Sequence, residues 1–372
     1  MMTSRRLRVA VIFGGKSVEH EVSVVSARSF AGAMDRSKYE PVFIGVDREG
    51  RWYFLGAGME GVGERVLPGC GEEIDLLSHV FASAGPRPKS GVQLGGSGRI
   101  DVVVPMIHGS FGEDGCIQGL CELAGVAYVG AGVLGSALGM DKITMKRLVE
   151  AEGISVPNFI EVTKWEWQRQ PRHVKSRVRA RIGYPCFVKP SNSGSSVGIT
   201  KVNEARALTG AINTALQFDR RLIVEKAIDA RELECGVLGN DEAIASVVGE
   251  VVPSNEFYDY EAKYVDKGSE LIIPARIRER ASHNIRSCAV RVFKLLDVSG
   301  MARVDFLMDR STKQIYFSEL NSVPGFTDIS MYPKLWEASG VPYPELVDRL
   351  IQLALQRHHE KAGRRFDYRT GR

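Results

Sequence analysis

The amino-acid sequence predicts a protein of mixed α/β and α+β class whose first part is a doubly wound, largely parallel sheet. Three observations carry that prediction. Residues 7–13 form an unbroken apolar run that ends at Gly14-Gly15 and is followed by a helical pattern. Apolar runs return at 102–107 and 126–129 on either side of a helical stretch at 117–124, the β-α-β alternation of a parallel sheet. At roughly 100 to 200 residues per domain, a chain of 372 residues holds two or three domains.

Each element follows from its local pattern. After the glycine turn, Val22, Val25, Phe30 and Met34 form a loose helical stripe, and 41–46 and 52–55 flank the polar residues 47–50 as a hairpin. Residues 56–100 are rich in glycine and without periodicity, which reads as a long surface excursion. The first domain then closes at 140. A helix running from Asp141 through Val149 stops at Gly153, and Pro157 opens an extended stretch. The second domain, 141–229, carries a strand at 185–189, a glycine loop at 191–198, a helix at 203–217 and a strand at 221–228. The third, 230–357, carries strands at 233–238 and 243–252, a polar loop at 254–269, a helix at 279–296, strands at 301–308 and 315–320, and closing helices. A basic tail, 358–372, ends the chain.

Composition excludes several function classes. With 44% hydrophobic and 25% charged residues the chain is neither disordered nor fibrous, and a formal charge of +4 is small for a nucleic-acid binder. The basic runs at 168–181 and 357–365 read as solvated faces or tails. Six cysteines form no C-x-x-C pair, and four lie in apolar runs, so reduced thiols packed as small core residues are expected. The apolar run near the N-terminus is too short for a secretory signal, and no stretch reaches the ~18 to 20 apolar residues of a membrane span. A cytoplasmic protein with no membrane and no nucleic-acid partner is the expectation.

The residues that carry chemistry fall mostly at ends of strands. Gly14-Gly15-Lys16-Ser17 lacks the upstream glycine of a P-loop, where Ala10 stands instead. Glu19, His20 and Glu21 follow at a strand-to-helix junction, where ligands bind in such folds; capping of the helix by acids is the bland alternative. His108, opening H-G-S-F-G-E-D-G, sits at the same sheet edge as Glu19. Lys189 ends a strand and is followed by Pro190-Ser191-Asn192-Ser193-Gly194-Ser195-Ser196-Val197-Gly198, whose amides and hydroxyls suit a phosphate, with Lys142 as a second point charge. Glu225, Lys226 and Glu232 stand at a short hinge, and carboxylates there suit an adenine amino group or ribose hydroxyls better than phosphate. Alternation puts Arg303 and Asp305 on one strand face and Glu319 and Asn321 on another; if the strands pair, three hard oxygen ligands converge as magnesium held with phosphates requires. Arg303 can then counter a developing oxyanion. The aromatic, charged stretch from Phe257 to Tyr264 reads as a lid.

A lysine before a glycine-serine loop, a strand-end Glu-Lys, R-x-D and E-x-N-x-x-P-G, in that order, resemble the ATP-grasp superfamily. G-G-x-S-x-E-H-E-V-S, H-G-x-x-G-E-D-G, M-D-K, K-P-x-x-x-G-S-S-x-G and Y-E-A-K-Y narrow the resemblance to the D-alanine–D-alanine ligase family, and the motifs run from residue 14 to 331. The resemblance implies an N-terminal Rossmann-like doubly wound domain followed by a two-subdomain ATP-grasp fold. It implies ATP as co-substrate and two magnesium ions, with manganese able to substitute, on Asp305, Glu319 and Asn321. ATP would be held by Lys142, Lys189, Ser196, Glu225, Lys226, Ile228 and Glu232. Glu19 would receive the first D-alanine's ammonium and join Ser195 and Tyr264 on closure, with His108 nearby. Lys263, Ser330 and Met331 would contact the second D-alanine, and Arg303 with the Gly325 amide would stabilise the tetrahedral centre. A homodimer formed by the first domain and a role in peptidoglycan precursor synthesis are further implications. Ser322 and Met331 depart from the family's usual threonine and leucine, but no charged or metal-binding group is lost. The rival within the superfamily makes D-alanyl-D-lactate or D-alanyl-D-serine, and the lid tyrosine Tyr264 favours the dipeptide. A nucleotide-binding regulator would be expected to lack a metal ligand or the arginine, and all four are present.

Overall fold

The computed structural model describes residues 5–75, 99–195, 197–252, 270–327 and 329–365. β1 (Leu7–Gly14) is buried along nearly its whole length, as a parallel strand covered on both faces must be. It lies between β2 (Tyr39–Val46) and β5 (Val102–Pro105), both parallel to it, and β6 (Ala127–Tyr128) continues beyond β5. β3 (Trp52–Gly56) and β4 (Glu72–Ile74) add an antiparallel edge, giving the order β4-β3-β2-β1-β5-β6. The chain's excursions from β1 go to opposite sides, so the carboxyl end of β1 opens onto the switch-point crevice.

α1 (His20–Gly32) covers this sheet, but its buried stripe differs from the expected one. Val24, Ala27 and Phe30 are fully buried whereas Val25 is 46% exposed, because the run 20-24-27-31-34 is the i+4, i+3 ladder that faces the strands. The glycine-rich stretch after β3 is likewise not wholly a surface excursion: Val62 and Val66 pack into the core and β4 joins the sheet. Residues 76–98 of it lie outside the described residues. α2 (Cys116–Ala124) falls where periodicity puts it; α3 (Val133–Met140) was not anticipated, since three of its eight residues are glycine or serine, which weaken any helical signal.

α4 (Lys142–Ala151), capped by the Asp141 side chain on the Thr144 amide at 2.8 Å, leads into the second sheet. That sheet is antiparallel, in the order β7 (Phe159–Thr163), β10 (Arg221–Lys226), β8 (Cys186–Pro190), β9 (Thr200–Val202). α5 (Lys164–Arg169), α6 (Pro171–Arg181) and α7 (Leu208–Ala215) accompany it. Val174 and Val178 of α6 are buried while Arg172, Arg179 and Arg181 are exposed, so most of the basic run 168–181 is a wet face, but Arg177 is half-buried, pairs with Glu166 and donates to the Glu161 carbonyl at 2.6 Å.

The third sheet runs β13 (Glu270–Ile272), β12 (Ile244–Val252), β11 (Ala230–Gly239), β14 (Gly300–Asp309), β15 (Ile315–Asn321), all antiparallel. α8 (Glu279–Leu295) packs on one face through Ile285, Val292 and Phe293. α9 (Met331–Ala338) and α10 (Tyr343–Ala362) share one core with the N-terminal sheet, where Phe326 meets Phe30 edge-on at 5.4 Å and Tyr332 tilted at 5.7 Å. Each such buried aromatic contributes roughly 1.5 to 3 kcal/mol, so the segments that follow β1 and β15 are fixed against one another. Arg357 corrects the expectation of a solvated basic end: its guanidinium stacks on Tyr128 at 4.3 Å and donates to the Tyr128 carbonyl at 2.8 Å. Among the described residues no helix is long and apolar enough to cross a membrane.

Candidate active site

The site forms where the three sheets meet. At the end of β1 the chain turns, and Ser17 Oγ accepts from the Glu19 amide at 3.1 Å. Glu19 occupies the N-cap position of α1, yet its side chain makes no capping bond. Its carboxylate, in a residue only 7% exposed, instead accepts from Ser195 Oγ in the glycine loop after β8. Glu19 is therefore not a side-chain cap, whereas Glu21 stands as an acid in the first turn of α1. A Cβ at Gly194 would lie 2.8 Å from Glu19 Oε2, so any other residue there would displace the Glu19 carboxylate. Ser195 itself is held at φ +47, a left-handed conformation that aims its hydroxyl at Glu19.

His108, just beyond β5, is buried beside Glu19. Its Nε2 lies 3.2 Å from Ser26 Oγ and its Nδ1 3.1 Å from the Val323 carbonyl. Burial holds its pKa below the usual histidine range despite the Glu19 charge and the Val323 contact, so the ring is neutral at pH 7. Glu113, in the same loop, accepts from the Gly109 amide at 2.7 Å and the Val323 amide at 3.0 Å, lashing the loop after β5 to the one after β15. Desolvation and the Glu19 charge lift its carboxyl to about 8. Glu113 stood inside a motif quoted for its histidine, and its role escaped sequence reasoning.

The lysines pair with carboxylates and loop carbonyls. Lys142 Nζ donates to the Ser193 carbonyl at 2.7 Å and lies 3.6 Å from Glu319. Lys189 Nζ is 3.5 Å from Glu225 Oε1, and Lys146, one turn after Lys142 and not anticipated, is 3.1 Å from Glu225 Oε2. Burial works against the Glu225 charge, but the two ammonium groups outweigh it and hold its pKa below the usual carboxylate range. Lys226 Nζ donates to the Tyr184 carbonyl at 3.3 Å. Ile228 is half-buried just past β10, and Glu232 stands on β11 opposite Val251 and Leu307, one sheet away from Glu225.

β14 and β15 pair in the register that alternation requires. Arg303 faces Asn321 and Asp305 faces Glu319. Arg303 grips Asp305 through two 2.8 Å hydrogen bonds, and Asn321 Nδ2 donates to Asp305 at 2.9 Å. Glu234, opposite Asp305 on β11, brings a further carboxylate 2.9 Å from Arg303; sequence reasoning missed it, although Glu232 and Glu234 share a strand face. Two carboxylates and an amide on one face, balanced here by Arg303 and Lys142, are a hard, sulfur-free donor set that fits a divalent cation shared with phosphates. Beyond β15, Ser330 Oγ takes the Thr327 amide at 3.0 Å, and a Cβ on Gly325 would lie 2.7 Å from that hydroxyl.

Glu19, His108, Lys142, Ser195, Arg303, Glu319, Asn321, Gly325, Ser330 and Met331 all line one cavity of about 140 Å³. Lys189, Glu225, Lys226, Ile228, Glu232 and Asp305 do not line it; Lys189 and Glu225 pair beside it. Ser196, Lys263 and Tyr264, and with them the proposed lid, lie outside the described residues. Glu19, the glycine loop with Lys142, and Glu319 with Asn321 thus share one enclosure, while Lys189 and Asp305 stand outside its lining.

Residues 8–131 match the family model described as D-ala D-ala ligase N-terminus, and residues 148–352 match D-ala D-ala ligase C-terminus. The D-alanine--D-alanine ligase of Caldicellulosiruptor bescii is 46% identical over 360 residues, covering 96% of this chain and 97% of that one. The D-alanine--D-alanine ligase of a Thermoanaerobacter species is 48% identical over 357 residues, covering 95% and 98%. Among solved structures, the D-alanine-D-alanine ligase from Coxiella burnetii matches with a TM-score of 0.79 at 34% identity, covering 96% and 97%. A D-Ala:D-Ser ligase from Enterococcus faecalis matches with a TM-score of 0.80 at 35% identity, covering 94% and 100%.

Proposed function

Because the chain belongs to the D-alanine–D-alanine ligase family, with the ATP-grasp fold of its structural relatives, we propose that it joins two D-alanines at the expense of ATP. The observation that carries this reading is the reach of Glu19, at the N-terminal sheet edge, to Ser195 in the phosphate loop, in the same cavity that Arg303, Glu319 and Asn321 line. An ammonium group placed on Glu19 sets its own carboxylate between the phosphate loop and the cation face. A carboxylate is a poor electrophile, so its oxygen attacks the γ-phosphorus of ATP and ADP leaves. The amine of the second D-alanine, after losing a proton, attacks the acyl carbon; the new C–N bond forms as inorganic phosphate departs. The dipeptide then feeds peptidoglycan precursor synthesis.

In this reading Lys142, Lys189, Ser196, Glu225, Lys226, Ile228 and Glu232 hold ATP. Asp305, Glu319 and Asn321 hold two divalent ions, magnesium with manganese as substitute, which supply charge neutralisation at the phosphoryl oxygens. Glu19 and the neutral His108 orient the first D-alanine; Ser330, Met331 and Lys263 receive the second; Arg303 and the Gly325 amide face the oxyanion. Tyr264 completes a set with Glu19 and Ser195, and its loop excludes water that would hydrolyse the acyl phosphate. The three segments 1–140, 141–229 and 230–357 act as substrate-binding domain and two halves of the nucleotide clasp, with a basic segment at 358–372, and two chains pair through the first.

The likeness to a D-Ala:D-Ser ligase gives a second reading, in which D-serine is the nucleophile. Purified protein with ATP, magnesium and D-alanine, alone or with D-lactate or D-serine, separates them by product mass. D-alanyl-D-alanine as the main product in every mixture supports the first reading. A mixed product that dominates at equal concentrations replaces it.

A further inference from the structure

Lys142 and Lys146 are the buried lysines among the described residues, and only Lys142 has a part in the chemistry above. Lys146 is 1% exposed, its ammonium 6.0 Å from the centre of the Phe317 ring and 3.1 Å from Glu225 Oε2. A cation is costly to bury, so a lysine so placed must answer to something. α4 supplies the reason for its position. Lys142 and Lys146 stand four residues apart, on one helix face, so a single helix sends one ammonium to the phosphate loop and Glu319 and the next to Glu225. Glu225, itself 1% exposed, has Lys189 3.5 Å from its other oxygen.

We infer that Lys146 is a positioning residue for nucleobase selection: it fixes Glu225 as a charged, acceptor-only group, so the site prefers a purine with a 6-amino group over one with a 6-oxo group. The inference rests on the proposed reading of Glu225 as a nucleotide ligand. An ionised carboxylate accepts hydrogen bonds and cannot donate them, so it pairs with an amino group and repels a carbonyl oxygen. A buried carboxyl that loses the nearer of its two cations, with only Lys189 left at 3.5 Å, takes up a proton more readily, and the resulting hydroxyl can donate to a 6-oxo base. With its side chain 2% exposed, Lys146 acts on the nucleotide through Glu225.

ATP and ITP differ in this feature, and the ratio of their kcat/KM values, with D-alanine saturating, reads it directly. Glu225→Gln should collapse the preference for ATP, because a carboxamide both donates and accepts. Lys146→Met should lower the ratio by about tenfold or more while the KM for D-alanine stays within about twofold, and Lys146→Arg should keep the wild-type ratio. The double variant, which removes both members of the Lys146–Glu225 pair and leaves Lys189 facing a neutral carboxamide as Glu225→Gln does, should match Glu225→Gln alone. An unchanged ratio in Glu225→Gln overturns the nucleotide role of Glu225, and this inference with it. A collapsed ratio in Glu225→Gln beside a wild-type ratio in Lys146→Met overturns the role of Lys146 alone. If Lys146→Met does not fold, the double variant decides: a ratio differing from that of Glu225→Gln means Lys146 acts independently, which also overturns the inference.

Discussion

Ser195→Gly isolates the contact on which the proposed site depends. Ser195 is held at φ +47, where a residue with a Cβ pays roughly 1 to 2 kcal/mol and glycine does not, so the substitution relieves the loop while deleting only the hydroxyl. What is lost is a hydrogen bond to a carboxylate, with both residues buried, and such bonds contribute about 1.5 to 3 kcal/mol. At about 1.4 kcal/mol per decade that is about a 10- to 150-fold drop in kcat/KM for D-alanine. The strain relieved offsets only part of the bond lost, so thermal unfolding should show a melting temperature equal to or a few °C below that of the parent, and coupled phosphate release should show the loss of activity. Alanine makes a poorer probe because it keeps the left-handed strain. Full activity in a folded Ser195→Gly protein would refute the reasoning, since loop conformation alone would then account for the site.

Two further outcomes follow from single contacts. Glu113 is lifted to about 8, so the folded chain holds a proton that the unfolded chain releases; its contribution to stability is complete below about 4.5 and is lost as pH rises through 8. Glu113→Gln fixes the neutral form, so its melting temperature relative to the parent should improve by several °C from pH 6 to 9, and a flat or opposite trend contradicts the assignment. Gly325→Ala drives a methyl to 2.7 Å from Ser330 Oγ, which must then leave its bonds to Thr327. A KM for the second D-alanine raised about tenfold, with the KM for ATP unchanged, is expected from initial rates; equal effects on both substrates would point to general disorder of the loop.

Most strands and the metal face were legible in the sequence because they depend on local alternation. Arg303 with Asp305, and Glu319 with Asn321, needed only that two successive apolar strands pair, and they do. What escaped depended on which elements become neighbours. Glu234 enters because β11, far upstream, lies beside β14; nothing in its own strand says so. Lys146 shares a helix face with Lys142, but a lysine reads as solvated until a buried carboxylate is known to face it. Glu113 acts through backbone amides, which leave no residue pattern. Val25 was preferred to Val24 because a loose apolar stripe fits two helical phases, and the sheet selects one. Arg357 read as part of a charged end until Tyr128 and its carbonyl were found beneath it.

The central claim is that the chain activates a carboxylate by phosphorylation and passes the acyl group to an amine. D-alanine labelled with oxygen-18 in its carboxyl group, incubated with the protein, ATP and magnesium, tests both halves at once. The account predicts one labelled oxygen in the inorganic phosphate for each D-alanyl-D-alanine formed. Phosphate released without label, or no phosphate release in response to D-alanine, would contradict it.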